Sequence, residues 1–297
     1  MKHIFIINPV AGKGQAVQFK EKIEHMFKSI DDDYEIIVTK EILDATKEVK
    51  KRTDKEDCRV YSIGGDGTLN EVLNGVIGSN SSLAVIPAGS GNDFARTLYE
   101  GYKYDNILKE LVNGDEKTID IAKLNDRYYL NISSIGFDAS VVYNAREYKK
   151  KKYISGNMAY TISLIQTLFT FKPMEFTFEL NGKVIKDNMY LITAANGKYY
   201  GGGIKIAPNA KIDDGLLEIY AIKKPKLHRL IRFLPKVVQG KDISGVEEIK
   251  HIRCNKLSVK SEVDTKVNLD GEIFTSKDIT FEAVPKAIKV IVPKNIQ

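Results

Sequence analysis

Along the first 120 or so positions, short apolar runs take turns with longer polar stretches. Each apolar run is followed by a glycine-containing loop or by a charged stretch with helical periodicity. The runs are IFII at 4–7, YEIIVT at 34–39, CRVYSIG at 58–64 and LAVIP at 83–87. Because strand, loop and helix repeat in this order, the pattern predicts an α/β domain with a parallel sheet covered by helices.

From about residue 117 the pattern changes to closely spaced strand-like runs. They include KTIDIAKLN at 117–125, RYYLNISSIGF at 127–137, MEFTFELNGKVIKDN at 174–188 and MYLITAANG at 189–197. Asn181-Gly182 is typical of a β-hairpin turn, and helical segments are expected near 138–171 and 225–239. The pattern predicts a β-rich sandwich domain. We therefore divide the chain into residues 1–122 and 123–297, with a cleft between the domains and the last strand returning to the first domain.

Charge and composition limit the possible partners. The chain has 297 residues and a formal net charge of +6, which suits an anionic partner but also fits a solvated surface. Aromatic residues are not interleaved with the basic clusters, so we expect no nucleic-acid partner. The apolar run near the first residue is too short for a signal peptide. Nor does any segment have about 18 uninterrupted apolar residues, so a cytoplasmic protein is expected.

Three glycine-rich loops follow three of the predicted strands: NPVAGKG at 8–14, GGDGTLN at 64–70 and PAGSGNDFA at 87–95. The carboxyl ends of parallel strands meet at one edge of a sheet, and ligands bind there. Thr68 and Glu71 have capping-box spacing, which predicts a helix start at Thr68. Free N–H groups at such a turn suit a phosphate. The alternative is a tight turn with Asp66 as a helix cap. Neither the P-loop nor the dinucleotide fingerprint matches these loops.

The order of these motifs resembles the diacylglycerol kinase catalytic family, in particular soluble bacterial lipid kinases related to sphingosine and ceramide kinases. The resemblance continues in DDGLLEI at 213–219 and NLDGE at 268–272, so it covers essentially the whole chain. GGDGT alone is also similar to NAD kinases and phosphofructokinases. The elements GSGNDFAR and LDGE favour the lipid kinases. The resemblance implies an ATP-binding α/β domain, a lipid-binding β-rich domain that carries the catalytic base, and a reaction in the cleft between them.

The resemblance also implies roles for individual residues. ATP would be held by Asn8, Pro9, Val10, Ala11, Gly12, Lys13, Thr39, Gly64, Gly65, Asp66, Gly67, Thr68, Leu69, Asn70 and Ser90. Lys13 would act as a point charge, and Ser90 keeps a hydroxyl where many relatives carry Thr. Asp66 would organise a catalytic Mg²⁺ with Asp93 and Asp120. Glu272 would be the base for the lipid hydroxyl. A second, structural Mg²⁺ would be bound by Asp214 and by the carbonyl groups of Lys211 and Leu216.

Spacing alone gives weaker support to two of these roles. From spacing, Glu272 is an ordinary hairpin glutamate, and DDG at 213–215 is an ordinary turn. Four lysines at 149–152 precede a segment with an apolar stripe, ISGNMAYTISLIQTLFTF at 154–171. The stripe consists of Ile154, Met158, Ile162, Ile165, Leu168 and Phe169. The lysines and the stripe together allow two interpretations. The segment docks on the anionic inner face of a membrane, or it is a core-facing helix that follows a solvated run of charges. The family further implies a homodimer.

These expectations favour an ATP- and Mg²⁺-dependent lipid kinase that phosphorylates diacylglycerol to give phosphatidic acid. Another hydroxyl lipid, such as phosphatidylglycerol or a sphingoid base, is the alternative acceptor. NAD kinase activity is a more distant alternative. A non-catalytic nucleotide or lipid sensor is a further possibility, against which the presence of both Asp66 and Glu272 argues.

Overall fold

The N-terminal part of the computed structural model is a parallel sheet with helices, as predicted. The structure describes residues 1–150, 156–180, 182–226, 228–229, 239–241 and 245–294. The strands are β1 (Lys2–Ile7), β2 (Asp33–Val38), β3 (Cys58–Gly64) and β4 (Ser82–Pro87), and they lie in the order β4-β3-β1-β2. The helices are α1 (Phe19–Phe27), α2 (Asp44–Thr53), α3 (Asp66–Val76), α4 (Asp93–Leu98) and α5 (Ile107–Val112), and 3₁₀ turns occupy Ala11–Gln18.

The C-terminal part is rich in antiparallel strands. They are β5 (Asp115–Leu124), β6 (Arg127–Tyr129), β7 (Ile132–Gly136), β8 (Met174–Leu180), β9 (Lys183–Met189), β10 (Leu191–Ala195), β11 (Tyr199–Tyr200), β12 (Ile204–Lys205), β13 (Leu217–Ile222), β14 (Ile249–Cys254), β15 (Lys256–Leu269) and β16 (Glu272–Val292). The helices α6 (Phe137–Lys149) and α7 (Gly156–Thr170) cover the segment predicted near 138–171. Most of the predicted helix near 225–239 lies outside the described residues.

Strand β16 joins the two parts of the chain. It pairs antiparallel with β15 and β5, and its end pairs parallel with β4 at Lys289 and Val290. Ile288 and Ile291 from this end pack into the N-terminal core with the residues of β1, β3 and β4. Fully burying such an aliphatic side chain contributes roughly 1.5–3 kcal/mol. The end of the chain therefore stabilises the N-terminal part, while the exact domain division at residue 122 stays a prediction.

Two local predictions have different outcomes. Leu180 and Lys183 pair across a two-residue hairpin loop, as the Asn-Gly signal predicted, although Asn181 itself lies outside the described residues. The predicted capping box is wrong, because α3 begins at Asp66 rather than Thr68. The Thr68 hydroxyl instead accepts a hydrogen bond from the Asn8 amide at 2.9 Å, and Glu71 accepts one from the backbone N–H of Ala45.

Helix α7 presents the described part of its apolar stripe to solvent, and Ile154 lies outside the described residues. Met158, Ile165 and Phe169 are 52%, 54% and 70% exposed. The opposite face is small and polar and packs on α6, where Ser163 donates a hydrogen bond to the Val141 carbonyl. The core-facing interpretation of this segment is therefore wrong. Within the described residues, no helix combines the length and the apolar character needed to span a bilayer.

Candidate active site

The three glycine loops lie at the carboxyl ends of β1, β3 and β4 and contact one another. A Cβ atom on Gly89 would lie 2.4 Å from the Cα of Gly65, and one on Gly12 would lie 2.5 Å from the Ala88 carbonyl oxygen. Real Cβ atoms do not tolerate these distances. Part of the glycine requirement therefore comes from contact between loops, in addition to the predicted approach of a phosphate. Gly67 differs, because no atom lies within 4 Å of its Cβ position.

These loops line an open cleft of about 850 Å³, and a second pocket of about 260 Å³ adjoins it. Residues of the predicted nucleotide set line one or both: Asn8, Pro9, Val10, Ala11, Gly12, Lys13, Thr39, Gly65, Asp66, Gly67, Thr68 and Ser90. The Lys13 side chain is exposed and has no ion-pair partner among the described residues. The cleft combines a lysine, the open N-terminus of α3 and the carboxylate of Asp66. Such a set suits a nucleotide phosphate with a cation.

Three members of the predicted nucleotide set do not face the cleft. Gly64 is buried in β3, and the Leu69 side chain is only 3% exposed in the N-terminal core. The backbone N–H of Leu69 donates to the Gly65 carbonyl at 3.0 Å, so it is not available to a phosphate. The Asn70 amide donates instead to the Tyr128 carbonyl and to the Asp270 carboxylate. The early helix start explains the outcome for Leu69 and Asn70, because it turns their side chains away from the cleft, whereas Gly64 still belongs to the buried strand β3.

Asp66 and Asp93 place two carboxylates beside the Gly91 backbone. A Cβ atom on Gly91 would lie 2.8 Å from one Asp66 oxygen and 3.7 Å from one Asp93 oxygen. The Asp93 Oδ2 accepts a hydrogen bond from the N–H of Gly202, whereas its buried Oδ1 has no partner among the described residues. Burial raises the pKa of Asp93, the Gly202 N–H opposes this shift, and the nearby Asp66 carboxylate adds to it.

This pair fits Mg²⁺, although the described residues contain no group of three carboxylate, His or Cys side chains that could hold a metal. Mg²⁺ typically takes one or two protein carboxylates and completes its coordination with water and substrate phosphates. Asp66 lines the phosphate-sized cleft, and the neighbouring Asp93 has a buried carboxylate oxygen without a partner among the described residues, so the pair meets that requirement. Asp66 and Asp93 are therefore the residues that would hold the catalytic cation.

Asp120 has its own backbone contacts, and its predicted place in the acidic network stays a prediction. Its carboxylate accepts hydrogen bonds from the backbone N–H groups of Gly215 and Lys286, at 2.6 and 2.8 Å. Asp120 thus fixes the turn at 213–215 to β16. Spacing in the sequence did not reveal this, because the two donors lie 95 and 166 positions away.

The acidic residue that sequence reasoning missed is Asp270. Its carboxylate accepts hydrogen bonds from the backbone N–H groups of Leu130 and Ile132, both at 3.1 Å, and from Asn70. Burial, against the effect of the Leu130 N–H and with a contribution from the Asp66 carboxylate, raises the pKa of Asp270 to about 7. Its position in LDGE, two residues before Glu272, was the available signal.

The predicted second Mg²⁺ site does not fit the residues as the structure places them. Asp214 accepts a hydrogen bond from the N–H of Leu216 at 3.1 Å and forms an ion pair with Arg253. Its carboxylate therefore already has a protein cation as a partner, and Lys211 is exposed nearby. No step below uses a metal at this position.

Glu272 begins β16 directly after the Asp270-Gly271 turn. Both turn residues have positive φ angles, 45° and 96°, as the tight connection from β15 requires. The Glu272 carboxylate is 43% exposed and is held by the Arg127 guanidinium, which also stacks on the Phe274 ring. A carboxylate oriented in this way can accept a proton, and the role of base stays a prediction.

A cavity of about 170 Å³ connects the two domains. On the nucleotide side it is lined by Asp66 and Asp93, and on the other side by β-domain residues and by Tyr160 of α7. Asp270 and Gly271 also line it, whereas Glu272 is not among its lining residues. A small polar group that enters this cavity from the side of α7 would therefore reach Asp66 and Asp93.

The chain is similar to known proteins over nearly its whole length. Residues 2–124 match the diacylglycerol kinase catalytic domain, and residues 131–292 match the YegS C-terminal NAD kinase beta sandwich-like domain. The diacylglycerol kinase of Bacillus subtilis (strain 168) is 32% identical over 258 residues, covering 84% of this chain and 83% of the relative. That of Staphylococcus aureus (strain MRSA252) is 29% identical over 296 residues, covering 98% and 92%. A crystal structure of a diacylglycerol kinase from Bacillus anthracis is 26% identical, covers 100% of this chain and 98% of that chain, and has a TM-score of 0.74.

Proposed function

The chain belongs to the diacylglycerol kinase family, and from this premise we propose that it transfers the γ-phosphoryl group of ATP to the free hydroxyl of diacylglycerol. The product is phosphatidic acid. The observation that supports this reaction is the cavity between the domains. It joins the Asp66 and Asp93 carboxylates at the phosphate cleft to Tyr160, on a helix whose apolar face is exposed.

In the proposed reaction the glycine loops and Lys13 hold the phosphates of ATP. Bound Mg²⁺, held by Asp66 and Asp93, would neutralise charge on the transferred group. The lipid hydroxyl oxygen forms a bond to the γ-phosphorus while the bond from this phosphorus to the ADP oxygen breaks. Glu272 accepts the hydroxyl proton, and Arg127 holds its carboxylate in place. Phosphoryl transfer depends mainly on positioning and charge neutralisation, and these residues supply both.

We further propose that the protein docks on the membrane surface through α7. Its exposed apolar residues continue to Tyr160 in the cavity, which gives a lipid a route to the site. Lys149 and Lys150 lie at the end of α6 and would add attraction to anionic lipid. Lys151 and Lys152 lie outside the described residues. The expected homodimer stays a prediction that a measurement of mass in solution decides.

The test is ATP turnover on a panel of acceptors in mixed micelles. The panel contains diacylglycerol, phosphatidylglycerol and a sphingoid base, with NAD⁺ as a soluble control acceptor. We expect turnover with diacylglycerol and its loss in Asp66→Asn, because charge neutralisation at the phosphoryl group is lost. Circular dichroism checks that this variant remains folded. Turnover only with another lipid or with NAD⁺ would show that diacylglycerol is not the acceptor. A fully active Asp66→Asn variant would exclude Asp66 from the mechanism.

A further inference from the structure

A buried carboxylate behind the cavity has no role in the reaction described above. Asp138 lies in the first turn of α6 and is 7% exposed. Its Oδ2 accepts hydrogen bonds from the Tyr200 hydroxyl and the Ser134 hydroxyl, both at 2.6 Å, and from the Asn268 amide at 3.2 Å. Its buried Oδ1 has no partner in the part of the chain that the structure describes. An unpaired buried oxygen of this kind is costly, which suggests a functional reason for it.

Two of the three donors to Asp138 are themselves walls of the cavity. Tyr200 and Asn268 both line it, together with Asp93 on the nucleotide side. The Asn268 amide is fixed at both ends, because its oxygen accepts the N–H of Gly271 at 2.9 Å. Gly271 immediately precedes Glu272. The network around Asp138 therefore holds one wall of the cavity and the turn that carries the predicted base.

The direction of these hydrogen bonds determines what the cavity can bind. The Tyr200 hydroxyl donates its single proton to Oδ2 of Asp138 at 2.6 Å. The Tyr200 oxygen then presents only lone pairs to the cavity. The carboxylates of Asp66 and Asp93, which also line the cavity, are acceptors as well. A wall composed of acceptors binds a hydrogen-bond donor and disfavours an anion.

We propose that Tyr200 accepts a hydrogen bond from the acceptor lipid's hydroxyl when the lipid binds, before the hydroxyl turns its proton to Glu272 for the transfer step, and that Asp138 is the positioning residue that orients Tyr200 for this contact. The ligand is an uncharged lipid alcohol that enters with its hydroxyl first. This inference rests on the proposed kinase function, since it concerns the same acceptor. It adds a specificity-determining contact inside the cavity, at a residue to which the reaction above assigns no role.

The experiment combines a protein variant with a ligand variant. The ligands are dioctanoylglycerol and its deoxy analogue, which carries hydrogen in place of the free hydroxyl. Wild type should bind dioctanoylglycerol about tenfold more tightly than the analogue, because the buried acceptors remain unpaired with the analogue. Tyr200→Phe keeps the ring and removes the oxygen. We expect it to reduce this discrimination to about twofold or less while ATP binding stays unchanged.

Two further variants complete the test. Asp138→Asn should also reduce the discrimination between the two ligands, because Tyr200 is then free to turn its proton into the cavity. Tyr199→Phe is the matched control. Its hydroxyl donates to Glu100 at 3.1 Å, and it does not line the cavity, so the discrimination should be retained.

The outcomes separate this inference from the function on which it rests. If wild type phosphorylates and discriminates the alcohol while Tyr200→Phe discriminates equally well, the contact is wrong and the kinase function stands. If wild type neither binds nor phosphorylates a lipid alcohol, both are wrong. Loss of discrimination in Tyr200→Phe and Asp138→Asn, but not in Tyr199→Phe, supports the contact.

Discussion

The carboxylates near the cleft differ in what their oxygens contact, although they look alike in the sequence. Both oxygens of Asp120 accept backbone N–H groups, and those of Asp270 accept two N–H groups and an amide. These residues hold segments of chain together. Asp93 differs, because its buried Oδ1 has no partner within the part of the chain that the structure describes, which leaves this oxygen available to a cation. A carboxylate is therefore a candidate cation ligand when one of its oxygens lacks a hydrogen-bond partner, and its negative charge alone does not decide this.

Replacing Glu272 by glutamine tests the base. The amide cannot accept the hydroxyl proton, so kcat for lipid phosphorylation should fall by roughly 10²–10⁴-fold. ATP binding should hardly change, because Glu272 does not line the nucleotide pockets. Steady-state turnover and nucleotide titration on the same preparation measure both. Glu262→Gln, an exposed glutamate on β15, is the control and should behave like wild type. Unchanged turnover in Glu272→Gln would assign the proton to another acceptor.

Helix α3 connects the nucleotide cleft to the catalytic turn. Its first turn faces the cleft with Asp66 and Gly67, and one turn later Asn70 donates to Asp270. Asp270 in turn holds the chain at 130–132 and precedes Glu272. The start of α3 is thus joined to the turn before Glu272, the predicted base, through the hydrogen bond between Asn70 and Asp270.

Replacing Gly67 of this helix by alanine should change the free energy of unfolding and the affinity for ATP in opposite directions. Alanine there meets no atom within 4 Å and has the higher helix propensity, so the free energy of unfolding should rise by about 0.5–1 kcal/mol. The same methyl group projects into the open cleft and should weaken ATP binding several-fold. Denaturant titration and nucleotide titration measure the two effects.

The control for this substitution is Gly78→Ala, which follows the same helix. Its φ of +86° disfavours alanine, so this variant should lose stability and keep its ATP affinity. If Gly67→Ala binds ATP as wild type does, the phosphate does not approach the start of α3.

At the scale of the whole molecule, the main surface feature is the stripe of apolar α7 residues that faces solvent. The helix packs on α6 through Ala159, Ser163 and Thr167 and leaves its larger apolar residues in solvent. Exposed apolar surface of this kind typically marks a site of interaction. Its continuity with the cavity through Tyr160 favours a lipid surface as the partner.

Polar substitution on this face tests the docking. Ile165→Ser combined with Phe169→Ser should reduce cosedimentation with anionic phospholipid vesicles, and raised salt should weaken what binding remains. Turnover of diacylglycerol in vesicles should fall, whereas turnover of short-chain dioctanoylglycerol in solution should be retained. Val184→Ser removes an equally exposed apolar side chain from β9 and is the control. Unchanged vesicle binding of the double variant would show that α7 does not dock.

The sequence by itself determined the features that depend on neighbours along the chain. The alternation of strand, loop and helix, the hairpin at 181–182 and the position of the glycine loops after β1, β3 and β4 all follow from local patterns. The motifs also predicted roles for Asp66 and Glu272, through resemblance rather than spacing, and these roles stay predictions. Such features are readable because backbone propensity and side-chain period act over a few residues.

Only the tertiary structure decided which distant groups meet. Asn8 binds Thr68 across 60 positions, which excludes the capping box, and Asp138 meets Asn268 across 130 positions. The period of α7 predicted its apolar stripe but not its direction, because the stripe faces whatever surface the rest of the fold leaves beside it. A helical period in the sequence shows only that one face of the helix is apolar and the opposite face is not. Which face is buried depends on packing, and here α6 takes the small polar face because small residues allow two helices to approach closely.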